Sequence, residues 1–364
     1  MTRDSSRLVT PPVVRHRGAG MALLAAALFG LSAPFAKLLL GHTRPQLLAG
    51  LLYLGSGLGL LVVWLARRGG SREAPLSRGD VPWLVGAIGF GGIAGPLLLM
   101  IGLTRTPAAS ASLLLNLEGV LTALLAWFVF RENFDRRIAL GMFAIVVGGA
   151  VLSWEGRLAW GGLIGPLAIA GACLAWAIDN NLTQKVSGGD PVQVAMLKGL
   201  VAGAVNTTIA LLLGAAWPSG PTLAGALALG FASYGVSLTL FVLALREVGT
   251  ARTGAYFSIA PFVGAAASLL VFRERPTTFL LSGAALMGAG VWLHLTERHA
   301  HAHQHEAMDH AHAHVHDEHH RHEHGADDPP PSDPVPHSHP HHHTPLSHAH
   351  AHYPDIHHRH DHAG

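Results

Sequence analysis

Four ionisable side chains stand inside otherwise apolar stretches of this 364-residue chain: Lys37, Glu118, Asp179 and Lys198. A charged group at the centre of a bilayer costs about 2.5–3.5 kcal/mol on insertion scales, and such residues usually face a cavity or pair with one another. Glu118 is either a proton or cation site that lines a cavity, or a neutral carboxyl bonded to a neighbouring helix. Asn116, two positions earlier, shares its face only if the helix is locally broken, which Gly119 would ease.

A second polar group surrounds Asp179. Trp176, Asp179, Asn180 and Thr183 follow the i, i+3, i+4, i+7 spacing of one helix face, and Asn181 adds a further amide. Such a stripe in an apolar helix is typical of a wet cavity, and the alternative is interhelical hydrogen bonding at about 0.6 kcal/mol per bond.

The two lysines have more than one interpretation. Lys198 can neutralise Asp179 or Glu118, or its ammonium can extend to the cytoplasmic edge of the membrane. For Lys37, three residues from the end of its apolar stretch, extension to the membrane edge is the favoured interpretation.

The elements that carry these residues are long enough to cross a membrane. Half of the residues are hydrophobic and only 13% are charged, and one spanning helix needs roughly 20 apolar residues. We predict an all-α integral membrane protein with ten spans, numbered 1 to 10, over residues 21–40, 45–66, 82–104, 107–130, 137–153, 160–184, 191–214, 221–245, 250–272 and 276–296. Span 5 is the shortest, so eight or nine helices remain an alternative.

The distribution of positive charge predicts the orientation. With the N-terminal segment 1–19 in the cytoplasm, 14 Lys and Arg fall on the cytoplasmic side and 5 on the other. Excess Lys and Arg marks the cytoplasmic side, so we expect both termini inside, in the plasma membrane (a bacterial inner membrane). We interpret span 1 as uncleaved, because its apolar run exceeds the about 7–15 residues of a signal peptide.

An internal repeat divides the spans into two halves, residues 20–153 and 160–296. Gly102–Glu132 and Ala244–Glu274 both have 31 residues and both end in Val-Phe-Arg-Glu, at an offset of 142. In a ten-span topology this offset is five helices, and an odd number turns the second copy upside down. Inverted repeats of this kind build transporters whose substrate site lies near the midplane between the halves.

These features resemble the drug/metabolite transporter superfamily, in particular its EamA-type members with two five-helix repeats. The resemblance rests on Phe29-Gly30 leading to Lys37 and Trp176 leading to Gln184-Lys185, on the repeated Val-Phe-Arg-Glu link, and on the glycines of the last helix of each half. It covers residues 20–296, with Phe29 where the family usually has Trp. It implies a fold of two inverted repeats and transport of a small solute such as an amino acid, a nucleotide-related metabolite or a drug.

Residues 299–364 form a tail of different composition that holds 24 of the 27 histidines and 10 acidic residues against 2 Arg. Its prolines and acids predict disorder. Imidazole is a favoured ligand of Zn, Ni and Cu, so we expect metal binding at His301, His303, His312, His314, His341, His342 and His343. A dispensable low-complexity extension is the alternative.

The function predicted from these observations is secondary transport of a small metabolite or drug-like solute by alternating access, with proton coupling as an option. Glu118, Asp179, Asn180, Asn181, Trp176, Thr183, Lys198 and Asn116 are the predicted site. The alternatives are a transition-metal cation transporter that uses the tail as a collector, and a non-transporting scaffold with a metal- or pH-sensing tail.

Other classes of protein are disfavoured. GK[ST], HExxH and GxSxG motifs are absent, and a single cysteine, Cys173, excludes a CxxC site. We therefore predict a protein that is not an enzyme and requires no cofactor. Its expected partners are the lipid bilayer and a small solute, not nucleic acid, and it is expected as a monomer or homodimer.

Overall fold

The computed structural model describes residues 12–67, 76–130, 136–153, 160–186, 190–248, 253, 256–295, 300–305, 308–314, 337–343 and 346–351. Fourteen α-helices are defined within them: α1 (Pro12–Gly30), α2 (Ser32–Leu40), α3 (Pro45–Ala66), α4 (Val81–Ala87), α5 (Gly95–Arg105), α6 (Ala108–Leu114), α7 (Leu117–Phe130), α8 (Arg136–Leu152), α9 (Trp160–Gln184), α10 (Pro191–Leu212), α11 (Gly220–Gly230), α12 (Ser237–Val248), α13 (Ala260–Phe272) and α14 (Thr278–Leu295).

These helices lie in the residue ranges predicted as spans, and the span numbers are kept as labels for those ranges. Range 1 holds α1 and α2, range 3 holds α4 and α5, range 4 holds α6 and α7, and range 8 holds α11 and α12, whereas each other range holds one of the named helices. Six helical stretches in the described part are long and apolar enough to cross a membrane, and four shorter apolar helices correspond to spans 4, 5, 9 and 10. Span 1 begins at Pro12, ahead of its predicted start.

Irregular turns recur at the repeat offset. A π-helical turn, Ile88–Ala94, joins α4 to α5, and a second, Phe231–Val236, joins α11 to α12. The last residue of the second turn, Val236, lies 142 positions after the last residue of the first turn, Ala94. Span 4 is interrupted at residues 115–116 and span 9 at residues 258–259, again one repeat apart to within a residue. The duplication is therefore present in backbone geometry as well as in sequence.

The contacts between spans have the same symmetry. Span 1 packs on spans 8 and 9, and span 6 packs on spans 3 and 4. Spans 2 and 7, 4 and 9, and 5 and 10 pack as pairs. Adding five to every span number reproduces this pattern, which fits the two-repeat architecture.

Small residues allow a close crossing between spans 2 and 7. An added Cβ on Gly199 would lie 2.5 Å from the Gly57 nitrogen, and one on Gly203 equally close to the Leu54 nitrogen. Small residues let membrane helices approach closely and gain van der Waals contact. Span 2 also supplies the centre of the core, with side chains that are 0–1% exposed: Leu47, Leu48, Leu51 and Leu52.

The tail was predicted to be disordered, but the structure has four short strands in it. They are β1 (Ala300–His305), β2 (Met308–His314), β3 (His337–His343) and β4 (Leu346–Ala351), paired antiparallel as β1 with β4 and β2 with β3. Within these strands histidine largely alternates with small residues, which is the two-residue period of a strand. The composition argument overlooked that period. The predicted metal ligands lie on β1 (His301 and His303), β2 (His312 and His314) and β3 (His341, His342 and His343).

Candidate functional site

A buried ion pair joins spans 6 and 7. The Lys198 ammonium lies 2.6 and 2.8 Å from the two carboxylate oxygens of Asp179 and donates to the Thr183 hydroxyl at 3.1 Å. Its three N–H groups are therefore all satisfied, and Asp179 and Lys198 are 6% and 8% exposed. Of the two interpretations of Lys198, the structure has the one in which it neutralises Asp179.

The π-helical turn of span 3 lies against this pair. A Cβ on Gly91 would collide with the Asp179 carboxylate, so glycine is what lets the two elements meet. Pro96 has no N–H and cannot bond the carbonyls four and five residues earlier. The carbonyl of Gly91 instead accepts from Tyr53 Oη at 2.7 Å and Trp176 Nε1 at 3.0 Å.

Glu118 lies where span 4 meets span 6. Its Oε1 accepts a hydrogen bond of 2.9 Å from Asn180 Nδ2; Glu118 is half-buried and Asn180 is exposed. In the described part of the chain this partner is an amide, so no cation neutralises Glu118. A Cβ added to the adjacent Gly119 would meet nothing within 4 Å, so there is open space at the next position of this helix.

The helix break predicted near Asn116 is present, but the side chain of Asn116 does not bond to Glu118. The side chain of Asn116 donates to the Leu113 carbonyl at 2.8 Å and lies 3.9 Å from Met287 Sδ. It is buried beside span 10 and is not hydrogen-bonded to Glu118.

Aromatic rings from both halves form a cluster beside these groups. Phe29 meets Trp176, Tyr234 and Phe257 with ring centroids 6.5, 6.1 and 5.4 Å apart, and Tyr53 lies 5.4 Å from Tyr234. The buried hydroxyls of Tyr234 and Ser32 interact with each other, although neither makes a hydrogen bond of standard geometry in the described part of the chain.

The structure brings most of the predicted site residues together. On span 6, Trp176 bonds to span 3 and Asn180 to span 4, and Asp179 and Thr183 both bond to Lys198 of span 7. Asn181 instead donates to the Ala177 carbonyl of its own helix at 2.8 Å. The Lys37 ammonium reaches the end of the bundle, where it donates to the backbone carbonyl of Thr106 in the link between spans 3 and 4 and lies 5.9 Å from the Phe272 ring centroid; this position is compatible with the expected extension to the membrane edge.

Sequence reasoning missed Tyr53 and the turn around Gly91. Tyr53 stands in a largely apolar run whose polar residues at helical spacing are Gln46 and Ser56, so little in the sequence marked it. The nearby Gly89, Gly91, Gly92, Gly95 and Pro96 were a usable signal, since glycine and proline punctuate helices.

No metal site accompanies these groups in the part of the chain that the structure describes. No group of three or more His, Cys, Asp or Glu residues is arranged there to hold an ion. The hypothesis of a metal-cation transporter therefore gains no support from the apolar bundle.

Comparison with known proteins identifies the class of protein. The model of the EamA-like transporter family matches residues 16–154 and 163–296. An uncharacterised transporter of Methanothermobacter thermautotrophicus is 29% identical over 288 residues, which are 74% of this chain and 84% of that protein. A probable amino-acid metabolite efflux pump of Salmonella typhimurium is 27% identical over 303 residues, 76% of this chain and 93% of the pump.

Solved structures agree on the fold. One crystal structure superposes with a TM-score of 0.58 at 21% sequence identity, covering 77% of this chain and 97% of the other. Together with the apolar helices, these matches indicate a multi-pass membrane protein and a transporter rather than an enzyme. The chain belongs to the EamA-like transporter family.

Proposed function

We propose that the chain is a ten-span secondary transporter that moves a small amine-bearing metabolite by alternating access, with Glu118 as the group that binds the solute's cationic nitrogen. The observation that carries the proposal is the carboxylate of Glu118 at the junction of the two halves, held by an amide and not by a cation. Lipid provides no hydrogen-bond or charge partner for a carboxylate, so we infer that the side of the Glu118 carboxylate without a partner faces a water-filled cavity.

Contacts at the helix ends support an inverted arrangement of the halves. Arg44 at the start of span 2 donates to the Leu213 carbonyl after span 7 at 3.0 Å. Glu274 after span 9 accepts from Ala108 at the start of span 4. The links between spans 1 and 2 and between spans 3 and 4 therefore lie beside the links between spans 7 and 8 and between spans 9 and 10, respectively. In the repeat, these two second-half links are equivalent to the links between spans 2 and 3 and between spans 4 and 5. Equivalent links of the two halves thus lie at opposite ends of the bundle. Inverted halves are the architecture on which alternating access is built.

In this proposal Asp179 has a structural part, although it was predicted to bind the solute or a proton. Its oxygens accept from Lys198, and Oδ1 also accepts from Thr183, so its charge is already neutralised by Lys198. Its role in the proposal is to hold span 6 in place, one residue before Asn180. Glu118 and Asn180 are left as the pair that a solute can reach.

The chemistry of the site favours a small amine with an apolar or aromatic part. A carboxylate attracts an ammonium group, and the faces of the neighbouring aromatic rings attract cations and pack against apolar groups. The Salmonella typhimurium relative is named a probable amino-acid metabolite efflux pump, which agrees with a solute of this class. In the absence of solute, a proton on Glu118 would keep the cavity neutral and couple solute movement to a proton gradient.

Uptake into proteoliposomes tests the proposal. A panel of radiolabelled amino acids and amines is offered to the full chain with and without an imposed pH gradient. Glu118→Gln keeps the shape and removes the charge, and we expect it to abolish uptake of amine solutes. Full activity of this variant would exclude Glu118 as the binding group.

Two adjacent amides provide a matched pair of variants. Asn180→Ala removes the partner of Glu118 and is expected to raise the KM. Asn181→Ala removes an amide that bonds only its own helix and should leave uptake unchanged. Equal effects of the two variants would contradict the placement of the site.

A further inference from the structure

Glu274 connects the two halves away from the solute site. Its carboxylate oxygens accept hydrogen bonds from the backbone N–H groups of Ala108 at 3.2 Å and Ala109 at 3.4 Å. Pro107, which precedes these residues, offers no side-chain oxygen to them. The first N–H groups of a helix lack partners within it. The Glu274 carboxylate, from the second half, therefore supplies the hydrogen-bond acceptor that Pro107 lacks.

Lys37 completes this cluster from span 1. Thr106 is extended, with φ −129° and ψ 139°, as expected for a residue that precedes proline. Its carbonyl is therefore outside the helix and accepts from the Lys37 ammonium. The ammonium also lies within electrostatic range of Glu274 and over the Phe272 ring.

The backbone conformation directs Glu274 towards span 4. Arg273 ends α13 in the left-handed conformation, with φ 51°. This conformation costs a non-glycine residue about 1–2 kcal/mol, and favourable contacts made by the residues that follow Arg273 can offset that cost. The contacts made by the next residue, Glu274, fulfil this role.

We propose that Glu274 and Lys37 form a latch that closes this end of the bundle and opens during each transport cycle. The latch rests on the proposed function, because alternating access requires one end to open while the other closes. It joins the two halves, whereas the Asp179–Lys198 pair lies within the second half. The distribution of positive charge places the latch on the outer side of the membrane. Glu274 is thus a positioning residue, which acts through span 4, the helix that carries Glu118.

The groups that form the latch are suited to reversible opening. Glu274 and Lys37 are both half-buried, so water can replace their partners when the halves separate. Both partners are backbone groups, which remain in place when the side chains leave. The buried ion pair has neither property, because separating it would leave charges without water.

Accessibility of the solute site from outside tests the latch. Cys173→Ala removes the single native thiol, and Gly119→Cys places a reporter where a side chain meets open space beside Glu118. A membrane-impermeant maleimide is added outside cells that express the full chain. We expect Glu274→Ala to raise the labelling rate about tenfold, equivalent to about 1.4 kcal/mol, and Glu274→Gln to raise it less.

The exposed neighbour Arg275 provides the control on the same link. Arg275→Ala is expected to leave the labelling rate at the level of the reporter protein. Unchanged labelling in folded Glu274→Ala, or in Glu274→Gln should the alanine variant fail to fold, would overturn the latch. Labelling does not depend on which solute is carried. A tenfold change without any amine uptake by the unmodified chain would therefore support the latch and reject the proposed function.

Discussion

Removing one partner of the Asp179–Lys198 pair should destabilise the protein more than removing both. In Asp179→Asn the Lys198 ammonium keeps its buried position but loses the negative charge 2.6 Å away. A buried charge stranded in this way costs about 3–5 kcal/mol. Asparagine is the appropriate replacement because the collision expected at Gly91 leaves no room for a larger side chain.

The double variant Asp179→Asn/Lys198→Met removes both charges. Replacing a buried ion pair by neutral groups of similar volume is often neutral or stabilising, so we expect it to lie within about 2 kcal/mol of the unmodified protein. Proteins of 150–250 residues shift by about 2–4 °C per kcal/mol. At the low end of that scale the single variant should lose about 6–10 °C in Tm and the double variant should change by no more than about 4 °C.

Thermal unfolding in detergent, followed by circular dichroism at 222 nm, provides the measurement. Thr183→Val serves as the control, because it keeps both charges and removes the two hydrogen bonds of the Thr183 hydroxyl, the 3.1 Å bond from Lys198 and the 2.8 Å bond to Asp179, which should cost about 1–2 kcal/mol. A double variant as unstable as Asp179→Asn would refute the reasoning. The loss would then come from packing around Asp179 and not from the stranded ammonium.

Two further predictions concern the π-helical turn and the tail. Gly91→Ala should lower Tm and impair uptake because its Cβ collides with the Asp179 carboxylate, whereas Gly89→Ala, whose Cβ meets nothing within 4 Å, should do neither; similar behaviour of the two would contradict the close approach. The tail should bind Zn through its histidines, so deletion of residues 299–364 is expected to remove Zn binding in isothermal titration and to leave amine uptake intact. Zn binding that survives the deletion would exclude the tail as the site.

The sequence predicted the spans and the repeat because both depend on properties local to the chain. Apolar length identifies a span, and the offset between the two Val-Phe-Arg-Glu motifs identifies the duplication. The i, i+3, i+4, i+7 stripe around Asp179 was also predictable, since residues at this spacing share a helix face. These features require no knowledge of which helices are neighbours.

The partners of the polar residues could not be predicted in the same way. Whether Lys198 pairs with Asp179 or Glu118 depends on how spans 4, 6 and 7 are arranged, and sequence spacing contains no such information. The same holds for Lys37. The distance to the end of its own helix predicted that the ammonium extends to the edge of the bundle, but the partner that it finds there, a carbonyl that precedes Pro107 after another helix, could not be predicted.

The distribution of strong and weak contacts is consistent with alternating access. The Asp179–Lys198 pair lies within one half, where the geometry can stay fixed throughout a cycle. Several bonds between the halves join neutral groups, as in Ser233 to the Leu28 carbonyl at 2.7 Å and Ser237 to the Ala25 carbonyl at 2.8 Å. Such bonds contribute about 0.6 kcal/mol each in membrane proteins, so a few can be exchanged for the binding free energy of a solute. A fully buried charged pair across the same boundary would hold the halves in one state, whereas Lys37 and Glu274 are half-buried and water can replace their contacts.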